Sequence, residues 1–122
     1  MMLSLNGKYL NGKYKIPLDE KIYALYNIKN GMITGDAFWY TNGGHLECKL
    51  EYKRGVCNGL KENFDNDGKV WLRQEYKNGK QDGLSEMYSN GLLNIKSEYK
   101  KGKRDGKQIS YSSGKLISET EY

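Results

Sequence analysis

The octapeptide YKNGKQDG, Tyr76 to Gly83, returns as YKKGKRDG at Tyr99 to Gly106. Extended in both directions, it resolves into four aligned segments that start at Ile28, Tyr52, Tyr76 and Tyr99, with Tyr122 opening a fifth. The steps between them are 24, 24, 23 and 23 residues. Glycines hold the register: Gly31, Gly55, Gly79 and Gly102 form one column. Gly35, Gly59, Gly83 and Gly106 form a second, and Gly44, Gly68, Gly91 and Gly114 a third. Twelve of the fifteen glycines are therefore periodic, which only a repeat architecture explains. A further backward shift of 24 residues sets Gly7 under Gly31, Asn11 under Gly35 and Ile16 under Tyr40. Asn tolerates positive φ better than other non-glycine residues, so residues 4–27 read as a degenerate first copy, followed by repeats 28–51, 52–75, 76–98 and 99–122 of one domain spanning 1–122.

Each copy reads as two strands and two turns. After the third glycine column, Leu46, Cys48, Leu50 and Tyr52 alternate with His45, Glu47, Lys49 and Glu51. Period two marks a half-buried strand. The same phase gives Val70, Leu72, Gln74, Tyr76, then Leu93, Ile95, Ser97, Tyr99, then Leu116, Ser118, Thr120, Tyr122. A shorter preceding strand ends at Tyr40, Phe64, Tyr88 and Tyr111, and links such as YSNG and YSSG have hairpin chemistry. The octapeptide is then the connector between one hairpin and the next, because a lone hairpin cannot bury its apolar face. The expected fold is all-β: an elongated, single-layer antiparallel sheet of about five 23–24-residue hairpin repeats, some ten strands in all, with the connectors along one edge.

Tyr-x-x-Gly, a glycine four residues on, an aromatic five later and then a further glycine make a pattern that resembles the MORN-repeat family, and more closely its bacterial variants described as antitoxin-like. The resemblance covers Ser4 to Tyr122. It implies a hairpin-repeat sheet acting as an interaction scaffold.

Catalytic chemistry finds little to work with. His45 is the only histidine and falls on the polar strand phase beside Glu47, as a solvated surface residue would. Cys48 takes the apolar phase, and Cys57 sits in a connector without a histidine to activate it. Two cysteines and one histidine do not make a zinc site, and the glycines follow a structural period instead of opening a helix. Glu51, Glu75, Glu98 and Glu121 each precede a column tyrosine on the polar phase. With a strand between each pair they would stand roughly 10 Å apart, paired to lysines across the strands. No enzyme activity, metal or cofactor is expected.

Charge is unevenly placed. Connector segments 5–11, 29–35, 53–59, 77–83 and 100–106 hold ten basic residues and two acidic ones, a net +8, while the remainder is −3. A ridge of Lys53, Arg54, Lys77, Lys80, Lys100, Lys101, Lys103 and Arg104 should follow one edge, densest toward the last repeat. It suits an acidic protein, a phosphate backbone or an anionic membrane surface. Trp39, Trp71, Leu92 and Ile117 are expected on the face opposite the column tyrosines. The strand KLISETEY carries Glu119 and Glu121 where other repeats pair Lys with Glu, and ends at Tyr122. Two such acidic edges repel, so the free protein is expected as a monomer whose partner engages this last repeat.

The function expected is a non-catalytic, protein-binding scaffold with the ridge, Trp39, Trp71, Glu119, Glu121 and Tyr122 as partner contacts. It would act as an antitoxin-like neutraliser of a toxin, or as a phage or mobile-element inhibitor of a host nucleic-acid-processing effector such as a CRISPR nuclease. The alternative is direct binding of RNA, DNA or anionic lipid through the ridge. Neither a charged segment followed by an apolar run at the start nor a membrane-length apolar stretch occurs, so a cytoplasmic setting is expected.

Overall fold

The computed structural model describes residues 3–122, and every regular element among them is a strand. A small hairpin, β1 (Ser4–Leu5) and β2 (Lys8–Tyr9), precedes the sheet. The sheet itself contains β3 (Gly12–Pro17), β4 (Ile22–Lys29), β5 (Met32–Ile33), β6 (Gly35–Thr41), β7 (Leu46–Lys53), β8 (Val56–Phe64), β9 (Val70–Lys77), β10 (Lys80–Ser89), β11 (Leu92–Lys100), β12 (Lys103–Ser112) and β13 (Lys115–Glu121). These eleven strands form one antiparallel meander in chain order from β3 to β13, with the two-residue β5 lying beside β4.

The connectors are tighter than the sequence suggests. Asn78 and Gly79 alone make the turn, with φ 51° and 84°, and β10 starts at once with Lys80. Two successive positive φ values are the conformation whose twist matches a hairpin, and Asn-Gly adopts it at least cost. The connector's second glycine lies inside the strand: at Gly83, φ is 111° and the ladder with β9 skips from Gln81 to Ser85. The octapeptide is thus a turn followed by a bulge, and the sheet is an unbroken series of hairpins.

The first repeat sits one residue out of the expected register. Gly12, not Asn11, pairs with Ile28 as Gly35 pairs with Tyr52 and Gly59 with Tyr76. Asn11 instead uses its side chain: its Oδ1 accepts the Asn30 N–H at 2.8 Å, the part Asn58 plays for Asn78 at 3.2 Å. That bond needs the residue before the column glycine, which explains the shift.

Packing is uneven along the sheet. The buried apolar residues, Ala24, Ile28, Ala37 and Leu50, all lie in the first half, while the buried polar ones, Ser85 and Ser97, lie in the second. One cross-strand row holds four of these six, Ala37, Leu50, Ser85 and Ser97, and turns polar along its length: Ala37, Leu50, Lys61, Gln74, Ser85, Ser97, Gln108 and Thr120 are successive partners. Apolar burial drives folding roughly in proportion to area, so the first half carries most of that term. Trp39 joins this packed face, contrary to the expectation that it faces away. It pairs with Cys48 and Ala24, and its ring lies 5.9 Å from Tyr26 and 6.4 Å from Tyr52. Because β6 runs opposite to β7, residues directly across share a face, so the phase of Cys48 fixes that of Trp39.

Candidate partner-binding surfaces

The basic edge is built by stacking the turns. Each turn glycine donates its N–H to a carbonyl of the preceding repeat: Gly31 to Leu10 (2.9 Å), Gly55 to Ile33, Gly79 to Cys57 and Gly102 to Gln81 (each 2.8 Å). Side chains reinforce the ladder where Asp82 accepts the Lys101 N–H at 3.5 Å. Successive turns therefore form one hydrogen-bonded column. All eight expected ridge residues, Lys53, Arg54, Lys77, Lys80, Lys100, Lys101, Lys103 and Arg104, lie on it and are exposed. None of them joins the ion pairs found among the described residues, which are Lys49–Asp36 (3.7 Å), Arg73–Glu62 (3.9 Å) and Lys107–Glu119 (3.3 Å). Among the described residues no ion pair neutralises a ridge side chain. Between turns the edge is notched. One groove of about 320 Å³ is lined by Lys29, Asn30, Lys53 and Arg54, and the next, of about 330 Å³, by Lys53, Arg54, Asn58 and Asn78.

At the far end the ridge meets the last strand. Arg104 Nη1 donates to the Tyr122 hydroxyl at 3.1 Å, and the guanidinium carbon lies 5.2 Å from that ring's centre. Hydrogen bonds to Tyr99 and Tyr122 raise the Arg104 pKa further above its ordinary value. Arg104 and Tyr122 thus come together as one exposed group. Glu119 and Glu121 are exposed on the same strand, in which every residue is exposed.

The tryptophans separate. Trp71 is exposed on the face of Arg73, where it can meet a partner. Trp39 is half-buried, its ring packed against those of Tyr26 and Tyr52. Ile117 and Leu92 are exposed, at 66% and 52%.

The glutamate column also departs from expectation. Glu51, Glu75 and Glu98 do not pair with lysines across the strands; their carboxylates fold onto Gly59, Gly83 and Gly106, filling the space a Cβ would occupy. Acids that do face cations across the ladder lie on the first strand of a repeat, β8 and β10, which at 9 and 10 residues are not the shorter strands the sequence suggests. Glu62 stands opposite both Lys49 and Arg73, and Glu86 opposite both Arg73 and Lys96. This alternating row was missed because strand alternation alone does not say which residues become neighbours across a bulge. Beside it a groove of about 670 Å³ is lined by Glu51, Arg73, Glu75, Tyr76, Asp82 and Glu86, among others.

His45 is not the solvated residue expected. It is half-buried, its N–H donates to Thr41 Oγ1 at 3.1 Å, and its Nε2 is buried without a partner among the described residues. Cys48 is half-buried on the packed face, and desolvation pushes its thiol above the ordinary range against the pull of Lys61. Among the described residues no group of three or more His, Cys, Asp or Glu side chains could hold a metal ion. No helix among them is long and apolar enough to cross a membrane.

Fold and surface together define a single-layer antiparallel hairpin sheet with one strongly basic edge. The chain matches no protein-family model, and no curated protein matches it significantly.

Proposed function

We propose that the chain is a non-catalytic scaffold of the MORN-repeat type that binds and sequesters a protein partner through its basic edge. The observation that carries this reading is the exposed ridge from Lys53 to Arg104, free of ion pairs among the described residues and fixed on a hydrogen-bonded column of turns. A rigid, unpaired row of charge steers an oppositely charged partner and costs little side-chain or loop ordering on binding. Trp71 and the Arg104–Tyr122 pair supply aromatic and guanidinium anchors of the kind that dominate interface energies. The partner is an acidic protein surface: a toxin neutralised by the scaffold, or a host nucleic-acid-processing effector such as a CRISPR nuclease blocked by a phage-borne or mobile-element inhibitor.

Direct binding of RNA, DNA or anionic lipid is the second reading, favoured by the absence of ion pairs at the ridge among the described residues. The two separate in one experiment. The chain and its Lys100→Glu, Lys101→Glu, Lys103→Glu, Arg104→Glu variant serve as paired baits, with nuclease-treated and untreated lysate. A protein retained by the native bait, lost by the variant and indifferent to nuclease supports the scaffold. Recovery that vanishes with nuclease, together with direct binding of purified RNA, DNA or acidic vesicles, supports the alternative.

A further inference from the structure

We infer that the two end strands of the sheet, β3 and β13, pair with one another between copies of the chain, joining copies head to tail in the register that β12 holds on β11. This inference goes beyond the partner-binding reading and does not rest on it.

Charge polarity is the first observation. On the face of Arg73, the strands that end each repeat are basic: Lys49 in β7, Arg73 in β9 and Lys96 in β11. Glu62 and Glu86, in the strands between them, are acidic, and each stands opposite two of those cations. Both end strands invert the rule. β13 places Glu119 where its counterparts carry Lys or Arg, and β3 places Lys15 where Glu62 and Glu86 stand. Against an interior strand of the usual kind, either end would meet its own charge. Against each other they meet opposite charge, and the strands behind them are neutral in this row, at Ile109 behind Glu119 and at Leu25 behind Lys15.

Register is the second. β11 and β12 pair Ile95 with Ser110, Lys96 with Ile109 and Ser97 with Gln108. Tyr99 maps onto Tyr122 and Gly106 onto Gly12 by the repeat. The same ladder then pairs Ser118 with Ile16, Glu119 with Lys15 and Thr120 with Tyr14 of the next copy. Opposite charges directly across a ladder stabilise it.

The third is a vacant cradle. Gly59, Gly83 and Gly106 each carry the carboxylate of a glutamate from the neighbouring strand. Gly12 has the same left-handed backbone, φ 117°, yet among the described residues only the Tyr14 ring edge approaches it, at 4.0 Å. Glu121 is the fourth glutamate of that column and covers no glycine among the described residues. The transferred register brings Glu121 to Gly12.

Among the described residues β3 pairs only with β4 and β13 only with β12. The β1–β2 hairpin docks on the Gly31 turn, through Leu3 N–H to the Gly31 carbonyl (2.6 Å) and Gly31 N–H to that of Leu10, and gives β3 no strand partner. Glu119 already touches Lys107, and the Lys15 ammonium rests 4.2 Å over the Tyr23 ring. Glu62 likewise contacts Arg73 while standing opposite Lys49, so one contact does not exclude the second. Lysines and a proline, here Lys13, Lys15 and Pro17, are common guards of exposed edges. Such guards repel a second β3 but not an acidic β13. The expectation of a free monomer rests on two acidic edges meeting symmetrically, and head-to-tail pairing removes that conflict. Because the contact is heterologous, it extends into open chains or closes into a ring according to the sheet's twist.

Sedimentation velocity on the whole chain tests this, using Lys15→Glu, Glu119→Lys and an equal mixture of the two, with circular dichroism confirming an unchanged fold. The native chain should show a mass that rises with concentration above 14.0 kDa and falls back in high salt. Each variant alone should sediment as a single chain, since its own ends now repel. The mixture should recover association, because both junctions again join unlike charges. The milder Lys15→Gln and Glu119→Gln, each expected to weaken association, serve if a reversal disturbs its strand. A native chain that stays at 14.0 kDa at every concentration overturns the inference and leaves Lys13, Lys15 and Pro17 as guards alone. Association unchanged in the single variants overturns it too.

Discussion

The carboxylate of Glu75 lies on the bare α-carbon of Gly83, and its Oε2 accepts the Leu84 N–H at 3.2 Å. The bulge at Gly83 leaves the Leu84 N–H without a ladder partner on β9, and the glutamate supplies one. Glycine is required twice over, for φ 111° and for the room the carboxylate takes. Gly83→Ala should therefore destabilise the chain by about 1–3 kcal/mol in urea unfolding. The penalty should shrink in a Glu75→Ala background, where the collision is gone and only backbone strain remains. Equal penalties in both backgrounds would show that the two residues are not coupled.

Apolar packing concentrates in the first half of the sheet. Leu50 is 8% exposed and Leu116 60%, although both occupy the packed phase of equivalent strands. Leu50→Ala should cost about 2–4 kcal/mol, the range for a core leucine, and Leu116→Ala about 0.5 kcal/mol or less. Hydrogen exchange should rank the same way, with β12 and β13 losing protection before β4, β6 and β7.

Alkali should unfold the chain through its tyrosines. Burial raises the Tyr52 phenol strongly, with Cys57 adding to it, and raises Tyr26 and Tyr88 as well. A phenol whose folded pKa exceeds its unfolded one contributes stability that is complete below the unfolded pKa and is lost as pH climbs toward the folded value. The loss should begin near about pH 10, the ordinary tyrosine value. Tyr52→Phe should flatten the fall in melting temperature above that pH; a slope equal to the native chain's would contradict the assignment.

The turn column predicts a local effect. Asn11→Ala removes the acceptor of the Asn30 N–H. It should cost about 1 kcal/mol and raise amide exchange at Asn30 while leaving Asn78, held by Asn58, unchanged.

Glycine spacing and strand alternation made the meander, its strand order and the basic edge legible, because each is a consequence of periodicity. The place of Asn11 was not legible. A one-residue slip between Gly7 and Gly12 changes no composition, and only the bond to Asn30 reveals it. Trp39 was misassigned for a related reason: the face of β6 follows from its pairing with Cys48, across a turn whose length sets the phase. The glutamate column was visible as a column, but its use was not. Nothing in a list of residues says that Gly83 leaves a hollow of carboxylate size beside Glu75. His45 likewise shows its buried Nε2 only in three dimensions.

The most direct test of the scaffold reading is the affinity of the captured partner protein for the chain and for its Lys100→Glu, Lys101→Glu, Lys103→Glu, Arg104→Glu variant, measured at two salt concentrations. These four side chains are exposed and make no ion pairs among the described residues, so the reversal should leave the fold intact. The account predicts binding at least about tenfold weaker for the variant at low salt, chiefly through slower association, with the gap narrowing as salt screens the edge. An affinity and association rate equal to the native chain's would contradict it.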